Sequence, residues 1–334
     1  MRLGIGSLMQ ITGYLIAAVV YLLVLSAAHA QSTRVTVVYP GVSGGFTPLW
    51  IAQEKNLFAK YSVDVHPVYI QGGSRAVQAL LAKDADVAVV SGGVIEAALR
   101  GADLKFMAAH LPSLAFSLYA RPDIRRVQDL RGKVVGVTRY GTPTMYSAVL
   151  ALRKYGMDPT KDVRVLATGG VSETLAAMQA GTVNAGILSA PVTLRARTMG
   201  YQEILRMGEL GVPFIHDGIV SSTAYVSGHQ KHLEGFLQGF IDGIRLYKTD
   251  RSFAEKVMAK YTRVNDPELL RETYDTFNRE FALKPFTPRS AIVNMLQLIA
   301  ETESKAAKAH PDDFFDNRLL QNLEKRGYFD QAGK

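Results

Sequence analysis

The chain has 334 residues, room for two domains of ordinary size, and its 48% hydrophobic and 20% charged residues exclude a disordered or collagen-like chain. Cysteine is absent, which removes disulfides, Cys-ligated zinc, iron–sulfur clusters, thiol nucleophiles and lipidation on an N-terminal Cys. Lys+Arg 38 against Asp+Glu 30 gives a net charge of +8, but past the first thirty residues no basic run is longer than a pair such as Arg125-Arg126, so no nucleic-acid partner is expected.

After Arg2 no Asp, Glu, Lys or Arg occurs until Arg34, and Tyr14–Leu25 is continuously apolar. Ser26-Ala27-Ala28-His29-Ala30 then supplies small residues in an A-x-A pattern. These features predict a secretory signal peptide over residues 1–30, cut after Ala30. The rival is a retained anchor, and the apolar core is shorter than the ~20 residues a spanning helix needs. The expected location is therefore the periplasm.

The elements then alternate. Thr33–Tyr39 is β-branched and reads as a strand; Pro40–Phe46 is a Gly-rich turn; Thr47 caps a helix with Pro48 at its first position. Val63–Ile70 is a strand, Gly72-Gly73-Ser74 opens a helix to about Lys83, and Val87–Val90 is a short buried strand. Ser91-Gly92-Gly93 opens a further helix stopped by Gly101, and Leu104–Ala109 is a strand. Ser113–Ala120 is extended and leads to a second series, with strands at Val134–Thr138, Val163–Ala167, Ala185–Leu188 and Glu203–Arg206. Its helices are Thr142–Tyr155, Ser172–Ala180 and about Pro191 to Met199. Ile219–Ser227 is extended, and the rest is almost wholly helical from His232 to about Tyr328. Phe236, Leu237, Phe240, Ile241, Ile244 and Leu246 there have the spacing of a packed helix face. The expected fold is α/β: two doubly wound lobes joined by two extended crossings, near Ser113–Ala120 and Val220–Ser227, with a helical C-terminal region. Lobe one takes 31–115 and 223–334, and lobe two takes 116–222.

Three segments carry a family resemblance. Gly41-Val42-Ser43-Gly44-Gly45-Phe46-Thr47-Pro48-Leu49-Trp50-Ile51-Ala52 and its continuation to Phe58 resembles the opening of solute-binding proteins of ABC importers. The class is nitrate/sulfonate/taurine, which shares a fold with thiamine-pyrimidine synthase-like proteins. Asp129 to Val137 resembles that family's start of lobe two, and Ala180 to Pro191 its third landmark. Asn184 stands where the family commonly has Asp, and Asn56 where it has Gly. The Cys-rich motif of the synthase relatives cannot occur here, which argues against the enzyme branch. The resemblance implies a periplasmic-binding-protein type II fold and a monomer that passes a small-molecule ligand to the membrane permease and ATPase of an ABC importer. It implies no cofactor.

The residues themselves offer helix starts. The first N–H groups of a helix lack internal partners and sit at the positive end of its dipole, so they can hold an anion. Four starts follow strand ends: Ser43, Gly44, Gly45 and Phe46; Gly72 and Gly73; Ser91 and Gly92; and Tyr140, Gly141, Thr142 and Thr144. Each could equally be a cap or tight turn alone. Phe46 and Tyr140 could stack on a ligand, and Arg75 and Arg139 are the nearest cations. Ser189, at a strand end, and Asp217, near the return crossing, are further candidates; Asp217 would suit an amine, as in a zwitterion. His110 could line the cleft. Gly41-Val42-Ser43-Gly44-Gly45 fits G-x-S-x-G, but a nucleophile elbow belongs after several strands, not after the first. His229 and His232 lack partner ligands for a metal. The expected cargo is a small organic anion such as a sulfonate or carboxylate. Two alternatives stand open, an enzyme on the same fold and a ligand-sensing receptor for a membrane kinase.

Overall fold

A computed structural model describes residues 33–331, so the leader and its expected cut after Ala30 lie outside the described residues. Ten strands form two mixed sheets of five. The first contains β1 (Thr33–Tyr39), β2 (Val63–Tyr69), β3 (Val87–Val90), β4 (Lys105–Leu111) and β10 (Asp217–Ser221), in the order β2-β1-β3-β10-β4. The second contains β5 (Ser117–Ala120), β6 (Val134–Val137), β7 (Arg164–Ala167), β8 (Ala185–Leu188) and β9 (Gln202–Arg206), in the order β7-β6-β8-β5-β9. Each sheet with its helices is a lobe. β3, β8 and β10 are buried at every residue, as central strands of doubly covered sheets are.

The strand that enters each lobe from the other one runs against its neighbours. β10 is antiparallel to β3 and β4, with Ile219 opposite Val89 and Ala108. β5 is antiparallel to β8 and β9, with Leu118 opposite Ile187 and Leu205. The reason is topological. The chain leaves one sheet at the carboxyl ends of its strands and enters the other at the same edge, so it must run back through it. The first residues of β5 and β10 thereby share an edge with the last residues of their antiparallel partners, where α/β sheets bind ligands.

Two boundaries differ from the sequence expectation. The return to lobe one is complete by Asp217, not 223: Asp217–Ser221 is a central strand of the first sheet and Thr223–Gly228 a short helix, so the second crossing is Gly211–His216, not Val220–Ser227. The first crossing is likewise shorter, because Ser117–Ala120 belongs to the second sheet. The helix after the first turn spans Thr47–Glu54 with Phe46 as its N-cap; Thr47 lies inside it, buried, because the 3₁₀ turn Gly44–Phe46 runs straight into it.

The crossings are bound to each other. Phe214 N–H donates to the Pro112 carbonyl (3.3 Å), His216 N–H to that of Leu111 (2.9 Å), and Ala115 N–H to His216 Nδ1 (3.0 Å). The rings of Phe116 and His216 stack at 4.2 Å. Behind lobe one, the helix Gln230–Thr249 packs on Thr47–Glu54, and its Phe236, Phe240 and Ile244 are fully buried in the same core as Trp50. Gly235, Gly239 and Gly243 repeat every fourth residue on this helix, and a Cβ on Gly243 would strike the Pro48 carbonyl oxygen. Close approach of the two helices needs hydrogen at that position.

Candidate functional site

The carboxyl edges of the two sheets face each other across a cavity of about 380 Å³. Lobe one lines it with the turns after β1, β2 and β3 and with the first residue of β10. Lobe two lines it with the turns after β6, β7 and β8. The lobes touch around it. Tyr146 Oη donates to Glu96 Oε1 (2.7 Å), Arg153 makes a two-pronged pair with Glu301 (2.5 and 2.6 Å), and Gly92 lies against the Gly141 carbonyl and Pro143. On the hinge side Arg197 meets Glu272 (2.5 Å). A second groove of about 680 Å³ adjoins there, sharing Phe116, Ser189 and Ala190 with the cavity wall.

Of the candidates, the geometry brings ten to the cavity: Ser43, Phe46, Gly72, Gly73, Ser91, Gly92, Thr142, Thr144, Ser189 and Asp217. Four lie off it. Gly44 and Gly45 are buried against the helix Pro267–Glu280: a Cβ on Gly44 would come within 2.7 Å of Thr273 and Phe277, and one on Gly45 would sit 3.3 Å from Phe277. Tyr140 is 61% exposed and turns its hydroxyl to the Val165 carbonyl (3.3 Å). Gly141 has φ +69° and seats the turn against Glu96. Arg139 lines the cavity and Arg75 does not. His110 is not at the cleft; it sits wholly buried in lobe one between Phe240 (5.0 Å) and Phe281 (6.2 Å).

Local bonding decides what each group can offer. Gly72, at φ +94°, adopts a backbone open to glycine and closed to most side chains, and its N–H is spent on the Pro40 carbonyl (3.0 Å). The amides of Gly73 and Gly92 have no carbonyl partner among the described residues. Ser91 Oγ donates to the Ile215 carbonyl (2.6 Å) and so pins β3 to the second crossing. Thr138, Thr142 and Thr144 bond one another: Thr144 Oγ1 accepts from Thr138 N–H (3.0 Å), and Thr142 Oγ1 donates to the Arg139 carbonyl (2.6 Å). That cluster shapes the turn more than it presents donors. Ser43 and Ser189 have no side-chain hydrogen bond among the described residues.

Charge is sparse and unevenly placed. Arg139 is the one Lys or Arg among the lining residues, and it is exposed. Asp217 is only 8% exposed, and burial pushes its carboxyl well above the usual range. Burial pushes the neighbouring His216 down to about 3, so its ring is neutral at physiological pH. Since Nδ1 accepts from Ala115, the ring proton sits on Nε2, 3.8 Å from Asp217 Oδ2. Glu173 also lines the cavity and folds back against Gly170, at the start of its own helix.

Sequence reasoning missed Tyr69, Gln71, Phe116, His216 and the turn Gly169–Glu173. The last carried the same signal as the others, a glycine pair between a strand and a helix. Phe116 and His216 could be found only once the crossings were placed to the residue.

Two α/β lobes, joined by paired crossings and closed on a cavity at their facing strand ends, define the periplasmic-binding-protein type II class, a class of solute-binding proteins. The chain belongs to the NMT1/THI5-like family, whose profile matches residues 43–250. Solved structures with the same fold include a protein of Bordetella bronchiseptica RB50 (19% identity, TM-score 0.75, covering 89% of this chain and 98% of that one). The periplasmic aliphatic sulphonate binding protein SsuA of Escherichia coli matches at 19% identity and TM-score 0.69, over 87% of this chain and 98% of that one. The periplasmic nitrate-binding protein NrtA of Synechocystis PCC 6803 matches at 12% identity and TM-score 0.67, over 89% of each. No curated protein matches the sequence. No helix of the described residues is long and apolar enough to cross a membrane.

Proposed function

We propose that this protein is the periplasmic receptor of an ABC importer: it captures a small organic solute bearing an anionic group between its lobes and delivers it to a membrane permease. The observation that carries the reading is the cavity itself, built in equal measure from opposed strand ends and large enough for an organic molecule. The Gly73 and Gly92 amides, the Ser43 and Ser189 hydroxyls and Arg139 are the groups available to an anionic end. Phe46 and Phe116 give the rest of the ligand apolar walls. Solute would enter the open form and settle on one lobe. Closure then adds contacts from the other lobe, and the occupant favours the closed form only by its extra affinity for it.

The arrangement favours binding over chemistry. Among the described residues no histidine or carboxylate hydrogen-bonds Ser43, so that hydroxyl has no base to activate it. We place the protein outside the inner membrane, as a monomer, on the strength of the leader sequence and the family. The test combines native mass spectrometry of freshly purified protein with small-angle scattering. A copurifying or added small molecule should bind one to one and make the particle more compact. Tight binding without compaction counts against capture by closure.

A further inference from the structure

We propose that the cargo carries a protonated nitrogen that pairs with Asp217 at the buried end of the cavity, in addition to the anionic group facing Arg139; this rests on the receptor reading above and narrows its ligand to an amphoteric molecule with an apolar body.

The inference begins with why Asp217 is there at all. It is the first residue of the reversed strand β10, at the edge where the parallel strands end, so the fold fixes it at the cavity. Its carboxylate makes no side-chain hydrogen bond among the described residues. An isolated buried carboxylate is costly unless it is paired or protonated. No Lys or Arg lies with it: Arg139 is exposed, in the opposite lobe. His216 is adjacent but uncharged, because its Nδ1 is committed to Ala115 and it is enclosed between the two crossings. The chain therefore leaves Asp217 without a counter-charge of its own.

The second acid points the same way. Glu173 folds over Gly170 and sets its own carboxylate against the helix start where a ligand's anion would otherwise sit. The cavity thus carries two carboxyl groups and one guanidinium. A purely anionic cargo meets that balance badly. A cargo with a cationic nitrogen at the buried end and an anion toward Arg139 satisfies both, and Phe46 and Phe116 suit an apolar middle.

The competing use of Asp217 is as a protonated donor to an anion, and a matched set of probes separates the two. Isothermal titration would compare para-(aminomethyl)benzoate, para-methylbenzoate and benzylamine on the wild-type protein, on Asp217→Asn and on Asp217→Glu, with melting curves to confirm folding. The expected result is that the aminomethyl acid binds the wild type about tenfold or more tighter than the methyl acid. Asp217→Asn should erase that gap while leaving the methyl acid's affinity unchanged or improved, and Asp217→Glu should restore part of it. Equal binding of the two acids, or an equal loss of both in Asp217→Asn, overturns the inference. Strong binding of the methyl acid alone would do so while leaving the receptor reading intact. If none of the three probes binds, the inference falls. If the fresh protein also holds no small molecule and does not compact with any solute, the receptor reading falls with it.

Discussion

Lobe one presents the same residue types twice, on two sides of one strand edge. On the core side Gly44-Gly45 follows β1 and His110 is the penultimate residue of β4. On the cavity side Gly72-Gly73 follows β2 and His216 precedes β10. The first set is covered by the chain itself: Thr273 and Phe277 fill the space over Gly44, and Phe240 and Phe281 enclose His110. The second set lines the cavity: Gly72 lies against Arg139 of the other lobe, and His216 is held between the two crossings. A glycine pair after a strand reports that something comes close to the backbone. Whether that is a helix or a solute depends on what the rest of the chain brings to the spot.

The largest effect that sharpens this contrast is acid sensitivity. Burial holds both His110 and His216 down to about 3, whereas an unfolded chain protonates histidine near its ordinary value of 6.5. Between those values the unfolded state binds more protons, so stability falls as pH drops from 6.5 toward 3. Each histidine contributes roughly 1.4 kcal/mol per pH unit in that window. His110→Phe, which keeps the ring between Phe240 and Phe281, should lower the slope by roughly 1.4 kcal/mol per pH unit in urea melts taken across the window. An unchanged slope would mean that His110 is hydrated in solution.

Gly44→Ala comes next. Its Cβ would overlap Thr273 and Phe277, and overpacking of this kind costs about 1–3 kcal/mol. The melting midpoint should fall while the folded fraction binds solute with unaltered affinity; a specific loss of affinity would put Gly44 at the cavity after all. His216→Phe should cost about 1–3 kcal/mol at neutral pH, because it leaves the Ala115 amide without an acceptor. Here thermal unfolding and compaction by scattering should shift together, since the change falls in the hinge. Gly72→Ala acts through the backbone, at about 1–3 kcal/mol from the positive φ. Its signature differs from that of Gly44→Ala in that affinity should change as well as melting, because the methyl group would lie 3.6 Å from the Arg139 guanidinium.

Much of the scaffold was legible. β1, β3 and β8 have the bounds that the β-branched runs predict, because glycine or polar residues end each run sharply. The return strand was misplaced for a definite reason. Asp217-Gly218 is a turn signal by composition, yet here both residues lie inside a buried strand, and Gly218 serves to pass Phe106 and the Ala108 carbonyl. Starting the extended segment at Ile219 moved the second crossing downstream and hid His216. Asp217 was legible as a residue near the crossing; its isolation from any cation was not, since that depends on where Arg139 and the Ala115 amide end up. Gly44 and Gly45 could not be told from Gly72 and Gly73, because the helix that fills the first pair comes more than two hundred residues later.

Phe116 and His216 clamp the two crossings into a single double-stranded strap, and Asp217 is the next residue along it. A solute held there is fastened to the strap and not merely enclosed by the walls. Prying the lobes apart at their rims would flex the strap and loosen the innermost grip in the same movement. A docking partner could then free the contents without reaching inside.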